Sequence, residues 1–269
     1  MQELNENGLV ILGCGKMGSA MLAGWLEAGV KPGAVWVLDP HPSDWLQSIE
    51  GLNLNRELPE APAVVLIAVK PQMMGDALPA MAKLGGGETL FVSVAAGTTL
   101  AAMEAVLGAG TPVVRAMPNT PAAIGKGVTA IVGNDKVTPA GLDLAHDMLE
   151  AVGKVVRLER EDQLDAVTAV SGCGPAYVFH LIEAMAAAGE ALGVAPDLAL
   201  ELARATVSGA GQLAEASEET PSQLRVNVTS PGGVTAEALK VLMNEEDGFP
   251  PLLLRAMQAA VDKSRELGE

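Results

Sequence analysis

Aromatic residues are scarce in this chain: three Trp, three Phe and one Tyr make up 3% of its 269 residues. Hydrophobic residues still reach 49%, so the core must be built from Ala, Val, Leu and Met. Helices of such small residues pack closely, and a mean hydropathy of +0.29 points to helix surface buried between subunits. Positive charge is also short. Seventeen Lys and Arg face 33 Asp and Glu, and the net charge of −16 argues against nucleic acid and against an anionic membrane surface. No charge-free run of about 18 apolar residues occurs, so no membrane span is expected. The opening segment MQELNENGLV is acidic and lacks the basic-then-apolar pattern of a signal peptide. Only two cysteines are present, Cys14 and Cys173, both within glycine-rich turns, and no Cys/His spacing suggests zinc. No metal is expected, and reduced thiols fit a cytoplasmic protein.

The first half alternates short apolar runs with helical patterns. Strands are expected at Leu9–Leu12, Val35–Leu38, Val64–Val69, Leu90–Val94, Val113–Ala116 and Val128–Val132. Several are apolar at nearly every position, as in a parallel sheet covered on both faces. Helical stretches such as Met17–Ala28 and Leu100–Leu107 lie between them. Repeated strand–helix–strand units imply a doubly wound α/β sheet of Rossmann type. After Lys154–Leu158 the pattern changes to Ala- and Leu-rich helical runs: Ala176–Leu192, Pro196–Ala216, Val234–Asn244 and Pro251–Leu267. A boundary near residue 160 is expected, with a nucleotide-binding domain over 1–160 and an all-helical domain over 161–269.

The run VILGCGKMGSAM places Gly13, Gly15 and Gly18 directly after a strand and at the start of a helix. In such a turn the first glycine makes the tight bend and the second lets backbone approach a pyrophosphate. The third lets helix pack on strand, and the helix N-terminus faces the phosphates. This context implies a dinucleotide site built on Gly13, Cys14, Gly15, Lys16 and Met17. The second strand ends at Asp39, where a carboxylate would accept from an adenosine ribose and repel a 2′-phosphate, favouring NAD. Lys16, His41 and Arg56 are possible phosphate partners nearby, so NAD and NADP both remain open. Other strand ends carry small or polar residues: Ala68-Val69-Lys70-Pro71, Ala95-Ala96-Gly97 and Pro118-Asn119. Together they suggest one groove at the carboxyl ends of the strands.

No Ser-His-Asp arrangement is evident. His180 lies on an apolar helix, where a packed or capping role is expected, and the paired carboxylates look like solvated charges. A hydride-transfer enzyme needs no protein nucleophile. Two stretches of the helical half are richer than helix starts require. VTSPGGVTAEAL offers backbone N–H groups at residues 232 to 235 to a small carboxylate, with the Thr235 hydroxyl beside them. The plainer alternative is a helix capped by Ser230 or Thr229. VSGCGPAYVF, residues 170 to 179, is expected to be a second helix entrance of the same kind.

The combination GCGKMG, AVKP, AAGTTL, RAMPNTP, SGCGPAY and VTSPGGVTAEAL, in this order and spacing, resembles the Δ1-pyrroline-5-carboxylate reductases over essentially the whole chain. The resemblance implies reduction of a cyclic imine, pyrroline-5-carboxylate, to L-proline with NADPH or NADH, the last step of proline synthesis. It implies a Rossmann domain and a helical domain that interlocks in a dimer, with possible assembly into a decamer. By position it assigns the pyrophosphate to Gly13–Met17 and places Asn55 near the adenosine phosphate. Val69, Lys70, Pro71 and Ala96 would line the nicotinamide half, and Asn227 would lie near the cofactor. Ser230, Gly232, Gly233, Val234 and Thr235 would hold the substrate carboxylate, with Thr235 donating to the ring nitrogen. Cys173 stands where serine is commoner, and Asp39 where many members carry Ser or Thr. Two other readings share these features: an oxidoreductase like the β-hydroxyacid dehydrogenases, with Lys240 as the catalytic lysine, and a nucleotide-sensing protein without turnover.

Overall fold

A computed structural model describes residues 1–268. Eight strands form one sheet: β1 (Leu9–Leu12), β2 (Val35–Leu38), β3 (Asn53–Leu54), β4 (Val64–Ile67), β5 (Leu90–Ser93), β6 (Val113–Met117), β7 (Gly127–Gly133) and β8 (Gly153–Arg157). Their order is β3-β2-β1-β4-β5-β6-β7-β8. The first six are parallel, and the order reverses beside β1, which leaves a crevice at the carboxyl ends of β1 and β4. Beside the sheet and its connections run α1 (Gln2–Asn7), α2 (Lys16–Glu27), α3 (Asp44–Gln47), α4 (Met74–Ala77), α5 (Leu100–Leu107), α6 (Pro139–Glu150) and α7 (Gln163–Val167).

The apolar strands divide their side chains between two cores. Leu9, Ile11, Val64 and Leu66 join Met21, Trp25 and Met148 on one face. Val10, Leu12, Val65 and Ile67 join Met81, Met103 and Leu107 on the other. Both sets of alternate positions are buried, which is why β1 and β4 are uninterrupted apolar runs.

The expected β1 and β2 agree with the structure residue for residue, and the remaining strands differ by a few residues at their ends. Three features depart from expectation. Strand β7 pairs antiparallel with β6. Only the segment Pro118–Lys126 joins them, too short for the dozen or more residues of a parallel crossover. The short β3 and α1 have too few residues to show a period. The glycine-rich stretch at 170–174 opens a helix at Gly174, as expected, but it follows directly on another helical turn. A π-helical turn, Thr168–Gly172, follows α7, and Cys173 keeps a helical backbone.

The chain separates into two compact units, one of Met1–Gly172 with the residues from Ala260 on, the other Cys173–Ala259. The second holds α8 (Gly174–Ala191), α9 (Pro196–Ala216), α10 (Pro221–Asn227), α11 (Val234–Leu242) and the first part of α12 (Phe249–Gly268). A turn with Gly193 at φ 97° joins α8 to α9, and an ideal Cβ on Gly189 would lie 3.3 Å from the Ala199 methyl. Small residues thus allow the close approach. Only Ala186, Ala199 and Ala203 are buried in this unit's helices, and none of α10, α11 or α12 buries a residue.

Candidate active site

The three glycines of the first turn have three separable reasons. Gly13 has φ 80°, and an ideal Cβ there would sit 2.7 Å from Val69 Cγ1. Both the backbone and the space exclude a side chain. An ideal Cβ on Gly18 would lie 2.9 Å from the Gly13 carbonyl oxygen, which explains close packing of α2 on its strand. Gly15 is exposed and has nothing within 4 Å of its Cβ position. No packing requires that glycine, so its use is to leave backbone open to a ligand. Gly15 is also the N-cap of α2, with no side chain capping the helix. The turn therefore fits a pyrophosphate: free amides, a helix dipole and an unobstructed approach. Cys14 is buried beneath it. Burial pushes its thiol up; a Ser19 hydrogen bond opposes this and the Asp39 charge adds to it. The thiol therefore stays neutral and adds no charge of its own beneath the turn.

Asp39 and Asn55 join this turn. Cys14 N–H donates to Asp39 Oδ2 at 2.7 Å, and His41 N–H donates to Oδ1 at 2.8 Å. Asn55 brackets Asp39 from the other side: its Oδ1 accepts from Asp39 N–H at 2.9 Å and its Nδ2 donates to the Asp39 carbonyl at 2.8 Å. Asn55 was expected near the adenosine phosphate; its amide is engaged with the backbone of Asp39. Lys16 is exposed in the first turn of α2. Ala68 and Val69 follow β4 and touch the Gly13–Gly18 turn, while Lys70 is exposed and Pro71 opens a 3-10 turn. Ala96 follows β5, next to Gly97 at φ 75°. The expected groove residues of the first unit are thus collected at the carboxyl ends of β1, β2, β4 and β5.

Asn119 is buried and structural: its Nδ2 donates to the Ser171 carbonyl at 3.0 Å and its Oδ1 accepts from Val128 N–H at 2.9 Å. One pair escaped the sequence reading. Arg115, inside apolar β6, donates to Glu161 Oε1 at 2.8 Å, and the same oxygen accepts from Leu100 N–H at the start of α5 at 2.8 Å. A lone arginine in a buried strand was the available signal, because such a charge demands an acidic partner.

In the second unit, neither Ser230 nor Thr229 forms the side-chain cap that was the plainer alternative. Gly233 is the N-cap of α11 and no side chain caps it. Thr229 Oγ1 instead donates backward to the Arg225 carbonyl at 2.6 Å. The turn uses one of the amides expected to be free, since Gly233 N–H donates to the Ser230 carbonyl at 2.9 Å. Gly232, Val234 and Thr235 keep theirs without a backbone partner among the described residues. Ser230, Val234 and Thr235 are all exposed, Val234 at 91%. Asn227 is held within α10 and its approach, accepting from Gln223 Nε2 and donating to Glu219 Oε2, both at 2.8 Å. His180, expected to be packed or capping, is exposed and pairs with Glu183 at 3.2 Å. Lys240 is exposed and pairs with both oxygens of Glu237, at 2.6 and 2.8 Å. His146, Asp147 and Glu150 cluster on α6, but Arg157 Nε donates to His146 Nδ1 at 3.4 Å and makes a poor neighbour for a cation.

Comparison with known proteins fits this geometry. Residues 161–267 match the family described as pyrroline-5-carboxylate reductase dimerisation. Residues 8–97 match the NADP oxidoreductase, coenzyme F420-dependent, family. The chain is 40% identical to the pyrroline-5-carboxylate reductase of Pseudomonas aeruginosa, over 97% of each chain. It is 34% identical to that of Escherichia coli, over 98% of this chain and 99% of the other. A solved pyrroline-5-carboxylate reductase from Coxiella burnetii superposes with TM-score 0.91 at 33% identity, covering 98% of this chain and 100% of that one. One from Plasmodium falciparum, with NADP bound, superposes with TM-score 0.85 at 29% identity, over 98% and 99%. The chain therefore belongs to the pyrroline-5-carboxylate reductase family.

Proposed function

We propose that this protein reduces 1-pyrroline-5-carboxylate to L-proline with NAD(P)H. The observation that carries the reading is the uncapped N-terminus of α11, with free amides at Gly232, Val234 and Thr235 and no side chain occupying them. It supports a seat for a small carboxylate, because unpaired N–H groups and the helix dipole both favour an anion. Thr235 stands in the first turn with its hydroxyl available to donate to the ring nitrogen, and Ser230 adds a second hydroxyl. Gly13–Met17 would hold the pyrophosphate, and the small Ala68 and Ala96 would leave room for a flat ring beside Val69, Lys70 and Pro71. Asn227 stays a candidate on the cofactor side. The reduced nucleotide, when bound, supplies the hydride that reduces the imine carbon. The protein positions the ring, neutralises its carboxylate with backbone dipoles, and places a hydroxyl where the nitrogen carries its proton. No covalent intermediate on the protein is required.

The assignment of 1–160 to the cofactor and 161–269 to substrate and self-association belongs to the same proposal, as do a cytoplasmic setting and a dimer assembling into a decamer. Mixing the protein with 1-pyrroline-5-carboxylate and each reduced nucleotide should consume the nucleotide and form proline in equal amounts. Nucleotide binding without consumption would instead favour a sensor.

A further inference from the structure

We infer that the carboxyl end of α12, through Ser264 and Leu267, positions the β5–α5 loop for the nicotinamide half of the cofactor. The inference rests on the reading that Ala96 lines that half. The loop, residues 94–99, is fixed at both roots. Val94 N–H donates to the Ile67 carbonyl at 3.0 Å, and Leu100 N–H donates to Glu161 Oε1 at 2.8 Å. Between the roots, the amides of Ala96, Gly97 and Thr98 have no hydrogen-bond acceptor among the described residues. Gly97 stands at φ 75°, a backbone that glycine adopts without strain. Packing, rather than hydrogen bonding, therefore sets the shape of the tip. Ala96 packs against the cluster of Met117, Ala130, Val132 and Leu164.

At Gly97 the packing comes from α12. An ideal Cβ on Gly97 would lie 3.0 Å from Leu267 Cβ and 3.1 Å from the Leu267 carbonyl oxygen. One on Gly268 would lie 3.5 Å from the Gly97 carbonyl oxygen and 3.7 Å from Thr99 Cγ2. Loop and helix end thus approach closely because glycines stand at the contact. The helix end is itself anchored. Ser264 Oγ donates to Asp165 Oδ1 at 2.7 Å, a bond strengthened by the carboxylate charge. Arg265 Nε lies 3.7 Å from the other oxygen of that carboxylate. Asp165 belongs to α7, and Glu161, which holds the start of α5, lies just before it. One segment therefore anchors the root of the loop through Glu161 and the brace at its tip through Asp165. All these residues belong to the first unit. Hydride transfer is sensitive to small displacements of the ring, so a loosened brace acts on the nicotinamide half. The adenosine half, assigned to the Gly13–Met17 side, has no contact with it to lose.

Ser264→Ala removes the anchor, and Ser264→Thr keeps the hydroxyl. Calorimetric titration of each with NADH and NADPH, and with ADP and 2′-phospho-ADP as the adenosine half alone, separates positioning from stability. Ser264→Ala should weaken the dinucleotide about fivefold, leave the fragments unchanged and lower kcat for proline formation about fivefold. Ser264→Thr should restore both. A folded Ser264→Ala protein with unchanged dinucleotide affinity and kcat would overturn the inference. So would equal weakening of dinucleotide and fragments, which marks a merely structural role. Should the variant fail to fold, hydrogen exchange in the unaltered protein decides. The dinucleotide, but not the fragments, should slow exchange at residues 96–102 and at 264–268. Slowing at 96–102 without slowing at 264–268 would overturn the brace alone. Slowing at Gly13–Met17 without slowing at 96–102 would overturn the nicotinamide reading itself, and this inference with it.

Discussion

Substitutions at Gly13 and Gly15 should separate folding from binding, although the two lie in one turn. Alanine at Gly13 must adopt φ 80° and displace Val69, so it should cost roughly 1–3 kcal/mol in a denaturant titration. Alanine at Gly15 meets nothing, so stability should change by about 1 kcal/mol or less while nucleotide affinity falls at least tenfold, read by calorimetry. Thr235 allows a similar separation. Gly233, not a hydroxyl residue, occupies the cap of α11. Thr235→Ala should therefore leave the melting temperature nearly unchanged while kcat falls by about a hundredfold, the lower end of proton-donor effects. Thr235→Ser should recover much of the rate. Loss of folding in step with activity would return Thr235 to a structural role.

At the scale of elements, the Arg115–Glu161 pair joins β6 to the start of α5. Arg115 is buried, and Glu161 also satisfies the Leu100 amide. Glu161→Ala should destabilise the protein by about 2–4 kcal/mol, measured by denaturant titration, because it strands a buried guanidinium. Much of this layer was legible in the sequence. The apolar runs of β1 and β4 could be read directly, since burial on both faces leaves no polar position to blur them. The Gly13-x-Gly15-x-x-Gly18 spacing announced its turn because each glycine answers a distinct steric demand. Other elements were illegible for physical reasons. The antiparallel β7 depends on the length of a link rather than on its own composition. The π-helical turn at Thr168–Gly172 hides behind glycines that normally stop helices. At α11, Ser230 and Thr229 look like caps, and only geometry shows Thr229 turned back to Arg225. The amide of Asn55 closing on Asp39 joins residues sixteen apart through a left-handed backbone, which no local pattern announces.

For the whole molecule, the helical segment carries the family's dimerisation domain, and the chain self-associates accordingly. The protomer shows why it must. Leu192, Val234, Val241 and Leu254 are 86%, 91%, 70% and 69% exposed in a unit that buries little of its own apolar surface. Surface of that kind is normally covered by a partner. Sedimentation equilibrium should find a dimer or a larger assembly, and Leu254→Asp should shift it toward monomer. No described helix is long and apolar enough to cross a membrane. Binding and chemistry then meet in one measurement: 1-pyrroline-5-carboxylate is added to the unaltered protein and to Thr235→Ala with saturating reduced nucleotide, and proline is quantified. A cyclic-imine reductase predicts one proline for each nucleotide oxidised by the unaltered protein and about a hundredfold slower formation by Thr235→Ala; nucleotide that binds yet is never oxidised would contradict it.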